Sequence, residues 1–301
     1  MRTYIDCIPC FVRQALDSVR MVTDDEAIHE QVLREVLRAA SEMDMRQSPP
    51  AMGQRIHRLI RKLTGRSDPY REMKERFNRL AMALLPDLEL RVKRTADPME
   101  AAVRLAIAGN VIDLGVSSRL VEADVLQAVD HALTTPFDGN VEEFSGAVRR
   151  AEDILYLADN AGEVVFDRLL IEQILQQLSP EKVTLVVKGS PVINDATITD
   201  AQAAEVTELV TVIDNGADAP GTILGECSEE FQRRFEAADL IISKGQGNYE
   251  TLSDVDKEIF FLLKVKCPVI AGDIGCEVGS LVLRRSNRVV LAGGKEDGYA
   301  R

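Results

Sequence analysis

From residue 153 onward the chain alternates between two kinds of segment, and that alternation limits the fold more than any other feature. Apolar runs rich in β-branched residues fall at 154–158, 183–187, 209–213, 240–243, 268–271 and 288–291. Amphipathic stretches of helical period separate most of them, at 164–178, 196–208, 228–238 and 254–264. Strands that are apolar throughout need cover on both faces, and intervening helices supply it. The expectation is a three-layer α/β/α domain with a mainly parallel, Rossmann-like sheet.

The first part of the chain reads differently. Apolar residues recur at intervals of three and four over 10–22, 24–43, 50–63, 69–85, 98–108 and 118–133, which predicts helices. Asp68-Pro69 sets an N-cap acid before a first-turn proline, and Ser48-Pro49-Pro50 breaks the chain between two helices. This suggests a multihelical region over 1–135, in two sub-bundles. An α/β domain over 136–301 would carry most of any metal and phosphate site. The fold class is therefore α/β with a helical N-terminal region.

Composition narrows the function. The net charge is −13, so nucleic-acid binding, which leans on positive potential, is not expected. The nearest thing to a basic patch is the Arg and Lys crowding between Arg55 and Arg79, which reads as solvated helix faces. No apolar run approaches the roughly 18 residues of a membrane span, and MRTYIDCIPCF has no signal-peptide core. A cytoplasmic protein is expected, with no membrane partner. Its five scattered cysteines suit reduced thiols.

In open α/β sheets, ligands bind beyond the carboxyl ends of the strands. Those ends carry Asp159-Asn160-Ala161-Gly162-Glu163, Lys188 to Asp195, Asp214 to Asp218, Lys244 to Glu250, and Gly272-Asp273. Taken singly, each is an ordinary helix cap or turn. Taken together, they gather carboxylates, amides, glycines and a lysine along one edge. Hard divalent cations prefer carboxylate and amide oxygens, and Asp159, Asn160 and Asp195 would supply that set. Lys244 adds a positive charge suited to phosphate. Gly162, Gly189 and Gly245 would let backbone N–H groups approach an anion.

Six segments resemble the DUF89 damage-control phosphatases: DCIPCF at 6–11, DPYREMKERFN at 68–78, GNVIDLG at 109–115, LADNAGEVVFD at 157–167, VVKGSPVINDATITDA at 186–201 and ISKGQGNYETL at 242–252. The resemblance runs from the N-terminus to about residue 295. It implies a metal-dependent phosphatase acting on small phosphorylated metabolites, such as sugar phosphates or damaged cofactor intermediates. The metal would be Mn²⁺, Ni²⁺, Co²⁺ or Mg²⁺, held by Asp159, Asn160 and Asp195. The family's phosphate-facing lysine matches Lys244, and Asn110 and Asp113 lie in a segment that lines its site. Gly162, Glu163, Asn194 and Gly245 complete the candidate substrate-binding set. Cys7-x-x-Cys10 suggests the stand-alone prokaryotic branch. The Gly-Met-Gly-Arg motif of one other branch is replaced by Lys244-Gly245-Gln246-Gly247-Asn248, and the Arg-Thr-x-Lys motif of another is absent. The substrates of those branches are therefore not carried across.

The catalytic candidates are Asp159, Asp195 and Lys244. The attacking group is either a water oriented by the metal or a carboxylate, or Asp159 itself through an aspartyl-phosphate. Two rival readings stand beside this one. A nucleotide- or adenosylmethionine-binding transferase is one, although the loop at 159–163 lacks G-x-G-x-x-G. A non-catalytic sugar-phosphate-binding protein is the other. Cys7 and Cys10 read as packing at a helix start, a metal or redox pair, or neighbours of the active site.

Overall fold

The computed structural model describes residues 1–109 and 122–286. The alternation after residue 153 resolves into a mixed seven-stranded sheet. Its strands are β1 (Phe137–Gly139), β2 (Ile154–Leu157), β3 (Val183–Val187), β4 (Thr211–Asp214), β5 (Leu240–Lys244), β6 (Ile259–Lys264) and β7 (Leu281–Arg285), in the order β1-β7-β6-β5-β2-β3-β4. Strands β2 to β6 are mutually parallel. β7 runs antiparallel to β6, and β1 joins the edge parallel to β7.

Period-two alternation assigns each strand residue to a face. Ile154 and Tyr156 of β2, with Leu240 and Ile242 of β5, face a core shared with α4 (Arg71–Arg94), α5 (Pro98–Ala108) and α8 (Glu163–Leu175). Leu155, Leu157 and Ile241 face the opposite layer, made by α10 (Glu229–Ala237), α11 (Gly245–Leu252) and α12 (Pro268–Ile274). Both faces are dry, which is why these strands are apolar throughout. The helices α1 (Cys7–Val22), α2 (Glu26–Glu42) and α3 (Pro49–Thr64) enclose a smaller core of their own around Phe11, Val32, Ile56 and Ile60. The helical half is thus divided between a three-helix unit and helices that complete one layer of the sandwich. Among the described residues no helix is long and apolar enough to cross a membrane.

Several expected elements differ. The run at 268–271 is the start of α12, with Pro268 in the first turn. A short apolar run cannot be told from a buried helix by periodicity alone. The stretch at 254–264, expected to be helical, ends in β6, whose residues Ile259 to Leu263 are all buried. Helix α4 passes through Pro86 instead of ending at 85, because Leu84, Leu85, Leu88 and Val92 keep one buried stripe on either side of the proline. The stretch at 196–208 forms the short α9 (Ile198–Ala203) and a 3-10 turn at Val206–Glu208 instead of one helix. The strand expected at 288–291 and the start of the helix at 118–133 lie outside the described residues.

Candidate active site

The chain runs from β2 through α8 to β3, and through α9 to β4, on one side of β2. It then crosses to β5 and β6 on the other side. The strand order therefore reverses between β2 and β5, and a crevice opens at their carboxyl ends. Asp159 and Asn160 leave β2 at this point, and Lys244 and Gly245 leave β5.

The loop after β3 folds back to meet them. Asn160 and Asp195 form an antiparallel backbone bridge, fixed by Ala161 N–H to the Asn194 carbonyl and Ala196 N–H to the Asp159 carbonyl, both at 2.8 Å. This short ladder brings Asp159, Asn160 and Asp195 together. Ile193, just before Asn194, has φ 44°. A β-branched residue in that region is strained, and such strain concentrates at functional sites.

The Asn160 amide is oriented by its neighbours. Its Nδ2 donates to Asp159 Oδ2 at 2.9 Å and to Glu163 Oε2 at 3.1 Å. Both amide hydrogens are used, which turns Oδ1 away as an acceptor. Glu163 is held in turn by Lys244, whose Nζ donates to Glu163 Oε1 (2.7 Å), Asp167 Oδ1 (2.5 Å) and the Ala106 carbonyl (2.8 Å). An ammonium has three donors, so Lys244 is fully engaged and completely buried. It was expected to face a phosphate; in the structure it faces two carboxylates of α8. A buried lysine at the strand ends that was not assigned from the sequence is Lys188, just after β3. Its Nζ lies 3.5 Å from Asp195 Oδ2 and donates to the Gly221 carbonyl.

Acids outnumber bases at the crevice. Asp159, Glu163, Asp167 and Asp195 are gathered around the two lysines, Lys188 and Lys244. Burial, and then the charges of Glu163 and Asp195, push the Asp159 carboxyl well above the usual range; Lys266 and Lys188 offset this only in part. Burial would lower the Lys244 ammonium, but Asp167 and Glu163 raise it, so it stays charged. Among the described residues no group of three or more His, Cys, Asp or Glu is arranged to hold a metal. The set at the bridge is of another kind, two carboxylates and an amide. It suits a hard divalent cation that keeps open positions for water or substrate.

Glycine permits the closest contact. Gly245 begins α11 at φ 80°, and a Cβ there would lie 1.9 Å from Asp159 Oδ2. Gly162, at φ 77°, begins α8, and its N–H donates to Asn78 Oδ1 of α4 at 2.7 Å. Asn78 Nδ2 reaches Asp200 Oδ1, and Lys74 Nζ pairs with Asp200 and Asp68, each at 3.2 Å. A buried polar chain thus ties the helical half to the strand ends. Asn248 donates to the carbonyls of Ala158 and Lys244, joining the ends of β2 and β5.

Of the candidate residues, Asp159, Asn160, Gly162, Glu163, Asn194, Asp195, Lys244 and Gly245 meet at this crevice. Asn110 and Asp113 lie outside the described residues. Asn78, Asp167, Lys188 and Asn248 were not assigned from the sequence. Cys7 and Cys10 are free thiols at the start of α1. Burial raises both, and Cys267 and Glu250 act on both. Gln246 bonds Glu250 and contacts Cys267 Sγ at 3.7 Å, so the pair lies near α11, which carries Gln246 and Glu250.

The model of the damage-control phosphatase ARMT1-like domain matches residues 3–282. The chain belongs to this family. A damage-control phosphatase of Archaeoglobus fulgidus is 37% identical over 286 residues, covering 92% of this chain and 97% of its own. Damage-control phosphatase PH1575 of Pyrococcus horikoshii is 37% identical over 292 residues, covering 95% and 99%. The crystal structure of that DUF89 family protein matches with a TM-score of 0.87 at 35% identity, over 95% of this chain and 100% of that one. Among the described residues, the family segments at 68–78, 157–167, 186–201 and 242–252 converge on the crevice: they supply Asn78, Asp159 with Asn160, Lys188 with Asp195, and Lys244 with Gly245.

Proposed function

We propose that this protein hydrolyses small phosphorylated metabolites, sugar phosphates or damaged phospho-metabolites, with a divalent cation held by Asp159, Asn160 and Asp195. The observation that carries the reading is the Asn160–Asp195 bridge with the Asn160 amide turned by Glu163. It gives three oxygen donors in a buried pocket of surplus negative charge, and family membership supports the reaction class.

A phosphate monoester resists attack because its charge repels the nucleophile, so catalysis rests on neutralisation and positioning. When bound, the cation supplies Lewis-acid polarisation of a phosphoryl oxygen. The chain's own residues do the rest. Lys188, buried beside Asp195, neutralises phosphoryl oxygens. The N-termini of α8 and α11, both starting at the crevice, add positive potential. Lys244 is a positioning residue: it fixes Glu163, which fixes the Asn160 amide. The attacking oxygen is water's in this reading, because Asp159 Oδ2 is engaged by Asn160 and packed on Gly245.

The test is a screen of phosphorylated metabolites and p-nitrophenyl phosphate with Mg²⁺, Mn²⁺, Co²⁺ and Ni²⁺. Phosphate release that is lost in Asp159→Ala, Asn160→Ala and Asp195→Ala proteins of native fold supports the reading. An Asp195→Ala protein with full activity and metal affinity refutes the ligand set. Binding of a sugar phosphate without turnover under every cation would favour a binding protein. A thermal shift with adenosylmethionine or NAD alone would favour a transferase.

A further inference from the structure

A cleft of about 590 Å³ opens between the end of α3 and the loop after β3, lined by Arg61, Lys62, Arg66, Ser67, Ser190 and Asp218. In a chain of net charge −13 this wall is unusually basic. Basic residues in a helix's last turn complement its dipole, which accounts for the sign of Arg61 and Lys62. It does not account for Arg66, beyond the helix end, or for two serines converging on the same space. Arg61 and Asp218 are structural here. The Arg61 guanidinium pairs with Asp218 and donates to the Pro191 carbonyl at 2.7 Å, and Arg58 and Gln54 also hold Asp218. Lys62 and Arg66 are exposed, and neither forms a hydrogen bond or ion pair with the described residues.

The cleft and the proposed site share the loop after β3, which supplies Ser190 and Pro191 to one and Lys188 and Asp195 to the other. Pro191, gripped by Arg61, lies four residues before Asp195, so no more than about 14 Å of chain separates them. Ser190 lies two residues after Lys188, which touches Asp195. We infer that Lys62, Arg66 and the Ser67 and Ser190 hydroxyls form a subsite for a second anionic group on the substrate. The preferred metabolites then carry a phosphoryl group to be cleaved at one end and a phosphate or carboxylate at the other. This rests on the phosphatase reading of the crevice and adds the substrate class.

The experiment compares glucose 1,6-bisphosphate with glucose 1-phosphate, a pair differing only in the second anion. The quantity read is the ratio of their kcat/KM values, in the parent protein and in Lys62→Glu/Arg66→Glu. The expected outcome is a ratio above one in the parent that falls about tenfold in the variant, mainly through KM. Rising salt should also lower the parent's ratio, because screening weakens the exposed charges. A ratio unchanged by the double substitution overturns the subsite. In parallel, calorimetry measures binding of glucose 1,6-bisphosphate to both proteins. If nothing is hydrolysed under any cation, the phosphatase reading fails, and the binding arm alone decides the subsite. Weaker binding to the variant upholds it, and equal binding overturns it. The Lys62→Gln/Arg66→Gln protein repeats both arms without introducing new negative charge.

Discussion

Replacing Gly245 with alanine tests the geometry of the crevice directly. The added Cβ would lie 1.9 Å from Asp159 Oδ2 and 2.2 Å from its Cγ. Side-chain carbons do not approach neighbours within 3.0 Å, so the Asp159 carboxylate or the Gly245 turn must retreat by roughly 1 Å or more. The turn has little freedom to do so. It is bounded by Lys244, with all donors engaged, and by Asn248, bonded to Ala158 and Lys244. A residue with a Cβ at φ 80° costs about 1–2 kcal/mol by itself, and overpacking adds about 1–3 kcal/mol. The expected loss of stability is about 2–5 kcal/mol by urea denaturation. The functional loss should be larger than the fraction unfolded explains. A displacement of about 1 Å at a reacting centre costs on the order of 100-fold in rate. Asp159 is also a proposed cation ligand, so calorimetric Mn²⁺ affinity should fall in the folded fraction. A Gly245→Ala protein with parental Mn²⁺ affinity and turnover would refute the placement of Asp159 against the α11 turn.

Further outcomes follow from the same networks. Lys244→Met strands the Glu163 and Asp167 carboxylates in the core, and breaking a buried pair in this way costs about 3–5 kcal/mol; a loss under about 1 kcal/mol in urea would show that the lysine is not their counterion. Asn78→Ala leaves the Gly162 N–H and an Asp200 oxygen without their partner, an expected loss of about 1–3 kcal/mol, with lower turnover because the start of α8 loosens. His57 is buried, and burial, then Arg61, lowers it from 6.5 to about 3, so the folded state keeps it neutral. Between those values the unfolded chain binds a proton that the folded chain does not, so stability falls as pH drops from about 6.5 toward 3. His57→Phe should remove about 3 kcal/mol of the change between pH 7 and pH 4, read as the difference between the two urea-derived pH profiles; superimposable profiles would rule it out.

The strand ends could be read from the sequence because a parallel sheet delivers its ligand groups at one edge. Asp159-Asn160 and Asp195 stand out wherever the apolar runs stop. What could not be read is which ends are neighbours. The meeting of Asp159 with Gly245 depends on β5 lying beside β2, and strand order is set by packing over the whole sheet. The exchange at 254–271, where a strand stands in place of a helix and a helix in place of a strand, has a similar origin. A run such as IFFLL fits a buried strand or a buried helix equally well, and Pro268 fits a helix start as well as a strand edge.

Lys244 shows a further limit. Its charge is legible, but its partner is not. Glu163 and Asp167 stand one helical turn apart on α8, a helix whose other early residues are apolar and buried. Acids in so apolar a helix must be paired, and that was the signal pointing to a buried lysine. The two carboxylates therefore explain Lys244, and the phosphate-facing role proposed above is given to Lys188, whose only local mark is its place between a strand and a glycine.

The same network explains why residue 160 is an amide and not a third acid. An aspartate there would supply an oxygen to a cation equally well. It would also set its charge against Asp159 and Glu163, the two carboxylates that Asn160 Nδ2 now bridges. With Asp159 already pushed upward by burial and then by Glu163 and Asp195, another buried charge would have to be neutralised by a proton before any cation arrived. The amide donates to both acids and presents its oxygen on the other side. One residue thus lowers the cost of bringing the acids together and completes the proposed donor set. The identity of the ligand at 160 is dictated as much by Glu163, and by the lysine behind it, as by the cation it would hold.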